Sequence, residues 1–281
     1  MAWIRLRSVI FVLPLLASGA ANVVSSVHEV QTTVAGLLAS NRVYSTGPHE
    51  RKFVQTPDGS SIWLNIGSSV LVSFTTDTRS VVLLAGEALF RVKHDMRHPF
   101  RVFSGRSVAE DVGTRFVAAK NQTTTTFLVA EGEIAIFDSA NLGLDGKGPT
   151  PSYMELAEFR HGERIEISNE SGAQLSHSFL TDDAVERALA WKDGRVIFKE
   201  TPLEDAVAEF NRYSQTRIEL TPDVEQHRLW ASGSYLYDDA DGFAASLKHE
   251  WKLESHEARG PDGSTIIILT SESGKKRPRH N

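Results

Sequence analysis

Apolar residues between positions 50 and 137 recur at every second position in many short runs. Val70, Val72 and Phe74 form one such run, and Ala88, Phe90 and Val92 form another. A period of two is typical of a half-buried β-strand. Turn sequences such as Thr56-Pro-Asp-Gly-Ser60 separate the runs, and no helical stretch lies between them. This pattern predicts an all-β module.

A short pattern recurs within this module. Gly86-Glu87, Gly132-Glu133 and Gly162-Glu163 each precede an alternating apolar run. A repeated turn-plus-strand unit favours stacked layers, as in a β-solenoid or a rolled β-sandwich. Because the glutamates belong to the repeat, we interpret them as structural rather than as an acid/base pair. We assign the module to residues 44–176, with residues 138–157 as a Gly/Pro-rich insertion loop.

The sequence after residue 176 changes to helical spacing. Thr181-Asp-Asp183 is expected to cap a short helix that ends at Leu189, within a linker of residues 177–193. Residues 194–271 then alternate between strand-like and helix-like runs.

Two helices are predicted in this last region. The first is expected to start with Thr201 as N-cap and Pro202 in its first turn, and the second at Asp238-Asp239. The resulting order, β-α-β-β-α-β-β, predicts a small α+β domain that binds a partner. The predicted fold class is therefore mainly β with an α+β C-terminal domain.

The two ends of the chain carry basic residues. Arg5 and Arg7 precede an apolar run from Val9 to Ala17, which is the layout of a secretory signal. The run is shorter than the roughly 20 residues of a membrane span. Residues 1–25 can therefore be a cleaved signal peptide or a signal anchor, and both place the rest of the chain outside the cytoplasm. The basic residues 272–281 are expected to form a disordered tail.

Composition narrows the classes of function. The chain has 281 residues, a formal net charge of −6 and no cysteine. An acidic balance disfavours nucleic-acid binding through phosphate contacts. The absence of cysteine excludes disulfides, thiolate metal sites and cysteine nucleophiles.

Several stretches resemble the FecR domain in their order and spacing over residues 56–116. They are Thr56-Pro-Asp-Gly-Ser60, Leu64-Asn65, Ser69, Arg79, Leu83, Gly86-Glu87-Ala88, Phe90-Arg-Val92, Pro99-Phe100-Arg-Val102 and Gly113-Thr114-Arg-Phe116. The last domain is similar to the C-terminal part of the same family, and to the short N-terminal domain of secretins and TonB-dependent transducers. The stretches that carry this second likeness are Trp191-Lys-Asp-Gly194, Phe198, Pro202-Leu203, Phe210-Asn-Arg-Tyr213 and Gly233-Ser-Tyr235.

The resemblance implies a signal relay in the envelope of Gram-negative bacteria. In this family, the periplasmic part contacts the signalling domain of an outer-membrane TonB-dependent receptor loaded with a ferric chelate. A cytoplasmic segment binds an extracytoplasmic-function sigma factor. Only eight residues precede the apolar run here. We therefore expect either that the chain starts further upstream, or that it is a periplasmic member that binds no sigma factor directly.

Catalytic and metal-binding patterns are weak. His94, Asp95 and His98 are close in sequence, but they precede Pro99 in a turn and fit a solvated loop better than a metal site. The aspartates that begin with Asp238-Asp239 lack the spacing of a calcium loop and fit helix capping. No serine has the surroundings of a nucleophile elbow. The chain is therefore predicted to have no enzymatic activity and no cofactor.

Aromatic residues of the small domain are the candidate partner-binding residues. Trp230, Tyr235 and Tyr237 lie on or just after a predicted strand, and such side chains often anchor protein interfaces. Core packing is the alternative for each of them. We expect a signal-transducing binding protein in the periplasm, either held at the inner membrane or soluble. A structural scaffold of the envelope and an unrecognised hydrolase are the alternatives.

Overall fold

The computed structural model describes residues 41–75, 78–111, 113–138, 154–226 and 228–271. The predicted signal segment and the basic tail lie outside the described residues, as does most of the predicted insertion loop. At the end of that loop the prediction was wrong, because a strand already begins at Met154. Among the described residues, no helix is both long and apolar enough to cross a bilayer.

The N-terminal part consists of strands that belong to one continuous sheet. They are β1 (Asn41–Ser45), β2 (Lys52–Gln55), β3 (Ser61–Leu64), β4 (Ser69–Phe74), β5 (Arg79–Arg91), β6 (Phe100–Ser104), β7 (Ser107–Asp111), β8 (Arg115–Lys120), β9 (Thr124–Glu131), β10 (Glu133–Asp138), β11 (Met154–Arg160), β12 (Glu163–Ser168) and β13 (Gln174–Phe179).

Strand β5 is shared between the two halves of this sheet. Its first half pairs with β4 and β6, and its second half pairs with β3 and β8. One half has the order β1-β4-β5-β6-β7-β10-β11, and the other has the order β2-β3-β5-β8-β9-β12-β13. Of the two forms left open by the sequence, the structure has the rolled one, a sheet curled into a half-barrel.

Gly86 is located where β5 passes from one half to the other. Its φ is +77°, and an added Cβ would come within 2.6 Å of the Ser68 Cα atom. Residues with a side chain rarely adopt this conformation, so glycine is required here. Gly132 and Gly162 also have positive φ angles. The repeated Gly-Glu pattern therefore marks positions where the backbone bends.

Both halves of the sheet enclose one apolar core. Phe90 of β5 stacks on Phe116 of β8 at 5.1 Å between ring centroids, and Phe100 of β6 lies 6.1 Å from Phe90. All three rings are fully buried. Alternate residues of β3, β4 and β6 are buried in this core, as the period of two predicted.

The C-terminal part contains four α-helices, one 3-10 helix and five strands among its described residues. In chain order they are α1 (Asp182–Leu189), the 3-10 helix (Ala190–Asp193), β14 (Arg195–Pro202), α2 (Leu203–Tyr213), β15 (Arg217–Leu220), α3 (Pro222–Glu225), β16 (Trp230–Leu236), α4 (Ala240–Trp251), β17 (Leu253–Arg259) and β18 (Thr265–Ser271). The predicted order is confirmed, with the four-residue helix α3 added. Strands β14 and β16 form one small sheet, and β15-β18-β17 form another.

Two of the three predicted helix starts are confirmed. Thr181 caps α1, and the Asp239 carboxylate accepts a hydrogen bond from the Gly242 amide of α4 at 2.8 Å. The prediction for Thr201 was wrong. Thr201 belongs to β14, where it pairs with Ala231, and α2 begins only at Leu203. Pairing with β16 keeps Thr201 and Pro202 in strand β14, so the residue predicted to be the N-cap lies within a strand.

The two parts share an apolar core. Leu89, Val117 and Leu128 lie on the outer face of the β3-β5-β8-β9 half, and they pack with buried residues of the C-terminal part. Strands β8 and β9 are therefore covered on both faces, which explains the continuously apolar run Phe127–Ala130. The division into domains at residues 44–176, 177–193 and 194–271 stays a prediction.

Candidate partner-binding surface

The β14–β16 sheet has one buried and one open face. Val196, Phe198 and Ala231 point inward and are buried. The Phe198 ring lies 5.4 Å from that of Phe243 in α4. On the other face, Trp230 and the residues at alternate positions after it are exposed. Strand β16 pairs with β14 along one edge, and no described strand pairs with its other edge.

Trp230 begins β16 and is the largest exposed side chain of this sheet. Its side chain is 46% exposed, whereas the backbone is fixed because the Trp251 indole donates a hydrogen bond to the Trp230 carbonyl at 2.8 Å. Trp230 also pairs with Pro202 across the ladder. A large aromatic side chain on a fixed backbone can be buried by a partner at little cost in backbone entropy.

Tyr235 is half-buried and makes internal contacts with both its ring and its hydroxyl. The hydroxyl donates to the Ser232 carbonyl at 2.8 Å and accepts from the Ser246 hydroxyl at 3.0 Å. The ring lies 4.7 Å from that of Phe243. An added Cβ at Gly233 would come within 2.8 Å of the Tyr235 hydroxyl oxygen, so glycine leaves room for this side chain.

Tyr237 lies beyond the end of β16 and is buried. Its ring stacks on Tyr213 with centroids 3.9 Å apart, and the Arg51 guanidinium lies 5.4 Å from its centroid. Burial raises the pKa of the Tyr237 hydroxyl, and Tyr213 raises it further. With 6% of its surface exposed, Tyr237 has little area to offer a partner. The structure thus separates Tyr237 from Trp230, and a partner-binding role for the aromatic residues stays a prediction.

An apolar groove lies beside Trp230. Pro202, Leu203, Leu220, Val224 and Leu229 line it together with the Trp230 ring, and its volume is about 280 Å³. The lining comes from β14, α2, β15, α3 and the segment before β16. All of the lining residues lie between positions 202 and 230, but several elements must pack together to form the groove, and no single run of sequence indicated it.

Polar residues connect the two parts of the chain. The Asn65 side-chain amide donates to the Glu87 carboxylate at 2.8 Å and to the Tyr213 hydroxyl at 3.0 Å. Burial raises the pKa of Glu87, although the hydrogen bond from Asn65 opposes this shift. Asn65 and Glu87 come from the stretches that resemble the FecR domain, and Tyr213 comes from those of the C-terminal part. The family-like stretches of the two parts therefore contain residues that contact each other where the parts meet.

The residues considered for metal binding have structural contacts. The Asp95 carboxylate accepts hydrogen bonds from His98 Nδ1 and from the Arg97 amide, both at 2.9 Å, and so closes a turn. These bonds, the one from His98 first, lower the pKa of Asp95 to about 2. Within the residues that the structure describes, no group of three or more His, Asp or Glu side chains could hold a metal ion.

Comparison with protein families identifies the N-terminal part. Residues 42–135 match the family model described as FecR protein. The match runs from β1 into β10 and includes the stretches between residues 56 and 116 that resemble the FecR domain. This match confirms the predicted resemblance of the N-terminal part to the FecR domain.

Solved structures share the fold over a longer range. Two crystal structures from Parabacteroides distasonis, each described as a "putative anti-sigma factor", are 22% identical to this chain. Each covers 82% of this chain and 99% of its own, with TM-scores of 0.55 and 0.54. The likeness shows that the fold of both parts recurs in other proteins. A comparison with curated proteins gave no match.

Proposed function

We propose that this chain is an envelope-located, non-enzymatic regulator of a sigma factor. The observation that carries the proposal is the match of residues 42–135 to the FecR family model. The fold shared with proteins described as anti-sigma factors supports it across both parts of the chain.

The proposal extends to the partner that delivers the signal. We assign this role to the signalling domain of an outer-membrane TonB-dependent receptor that binds a ferric chelate. The open edge of β16 supports this step, because a partner strand can extend a sheet at a free edge. Exposed Trp230 at the start of that strand provides an apolar anchor. An extracytoplasmic-function sigma factor would be the cytoplasmic target of the relay.

Binding to purified receptor signalling domains from the same genome tests this step. We expect one of them to bind the full chain, and we expect Trp230→Ala to weaken that binding about 30-fold, since loss of an interface anchor costs about 2 kcal/mol. Calorimetric titration measures both quantities.

Leu175→Ala provides the matched control. Leu175 is 56% exposed on β13, on the other part of the chain, and its truncation is expected to leave the affinity unchanged. Absence of binding by every receptor domain would contradict the receptor step. Equal effects of the two substitutions would contradict the placement of the interface at β16.

A further inference from the structure

We propose that the groove beside Trp230 receives one large apolar side chain of a partner protein, and that a lysine or arginine flanks this side chain. The proposal rests on the proposed function only in taking a protein as the partner. It adds a binding site and the chemistry of the segment that occupies it.

The floor of the groove is apolar and firmly packed. Leu203 and Val224 are at most 4% exposed and belong to the core of the C-terminal part. Leu220 and Leu229 are half-buried and pack against the same core. Trp230, which also lines the groove, is exposed. A guest side chain would therefore cover apolar surface without displacing the protein's own residues.

The size of the groove distinguishes between possible guests. Pockets that hold small organic ligands typically have volumes of about 300–1,000 Å³ and enclose most of the ligand. This groove, at about 280 Å³, lies at the lower limit of this range, and it opens beside an exposed tryptophan instead of enclosing its guest. A single aromatic or aliphatic side chain fits it better, as in the pockets that receive interface anchors.

Three charged side chains lie at the rim of the groove. Glu204 in the first turn of α2, Glu225 at the end of α3, and Arg228 surround the opening. In the part of the chain that the structure describes, none of these three exposed side chains forms an ion pair. Two carboxylates and one guanidinium give the rim a negative balance. The rim therefore favours a guest with a cationic neighbour.

Short peptides can test the site independently of any receptor. The probe is acetyl-Lys-Trp-Lys-amide, added to the full chain with 13C-labelled methyl groups and followed by NMR. We expect saturable shifts confined to the methyl groups of Leu203, Leu220, Val224 and Leu229. Acetyl-Lys-Ser-Lys-amide is expected to cause none, and acetyl-Glu-Trp-Glu-amide is expected to bind about fivefold more weakly, as loss of two exposed ion pairs implies.

Charge reversal at the rim provides the sharper comparison. The double variant Glu204→Lys and Glu225→Lys is expected to invert the preference, so that the glutamate-flanked peptide binds more tightly. Glu257→Lys, at an exposed position of β17, is the matched control and should keep the original preference. Both variants change exposed positions, so their folding can be verified from the methyl spectrum itself.

Other results would overturn the proposal. Equal affinity for free indole and for the lysine-flanked peptide would indicate a small-molecule site. Shifts of the groove methyl groups on increasing protein concentration would indicate a second copy of this chain. Shifts outside the groove, or an unchanged preference in the double variant, would also contradict it. Absence of peptide binding would contradict the groove proposal but not the receptor step of the proposed function. Absence of binding by the receptor domains would contradict the receptor step but not the groove proposal.

Discussion

Replacing Arg79 with methionine is expected to lower the free energy of unfolding by about 3–5 kcal/mol, because it removes one partner of a buried ion pair. The Arg79 side chain is 6% exposed and its Nη1 lies 3.0 Å from the Asp58 carboxylate. The guanidinium also donates to the carbonyl oxygens of Lys93, Asp95 and His98 at 2.5–3.2 Å. The variant would leave a largely buried carboxylate and these carbonyl groups without their donor.

Urea unfolding at neutral pH measures the loss, and Arg160→Met is the matched control. Arg160 pairs with Glu133 at 2.7 Å, but its side chain is 71% exposed. Exposed pairs of this kind contribute about 0–1 kcal/mol, so the control should retain nearly full stability. Equal losses in the two variants would contradict the structural role assigned to Arg79.

The effect of Arg79 is also expected to depend on pH. Burial alone would raise the pKa of Asp58, but hydrogen bonds from Ser60 and Thr56, together with Arg79, hold it below its ordinary value. A pKa that is lower in the folded state stabilises the protein above the unfolded pKa of about 4, and this stabilisation is lost as the pH falls. The difference between wild type and Arg79→Met should therefore narrow in acid.

Replacing Leu89 with alanine is expected to cost about 2–5 kcal/mol and to weaken both parts of the chain. Leu89 is fully buried on β5, yet it belongs to the core that contains Phe210 and Phe243 of the C-terminal helices. A cavity at this position removes contacts from the two parts together. Because the core is shared, we expect a single unfolding transition.

Hydrogen exchange measures how this loss is distributed. We expect faster exchange in β8 and β9 and also in α2 and α4. Val43→Ala is the control, since Val43 is an aliphatic residue that is 60% exposed on β1. Faster exchange confined to the N-terminal strands would mean that the two parts are stabilised independently.

Local sequence predicted features that depend on neighbouring residues. The Thr181 and Asp239 caps are confirmed because a side chain there reaches an amide three residues ahead. Thr201 has the same chemistry, but pairing with β16 holds it in a strand. Gly86 was recognised as part of a repeat, and the structure shows the bend that the repeat requires.

Features that depend on tertiary packing were less accessible. Tyr237 and Trp230 are both aromatic residues near one strand, and only the packing shows that Tyr237 stacks on Tyr213 whereas Trp230 is exposed. The groove is formed by four short segments between residues 202 and 230, and no single one of them indicates it. The continuous apolar run Phe127–Ala130 lies on β9, which is covered on both faces, and such runs are typical of strands buried on both sides.

The central claim, regulation of a sigma factor, is tested most directly in cells. The measurement is genome-wide transcript abundance in the wild type, in a strain that lacks this gene, and in that strain complemented with wild-type or Trp230→Ala protein, each with and without the inducing ferric chelate. The account predicts that deletion changes the transcripts of one sigma-factor regulon and its receptor gene. Wild-type protein should restore chelate-dependent expression, and the Trp230→Ala protein should not. An unchanged regulon in the deletion strain would contradict the account.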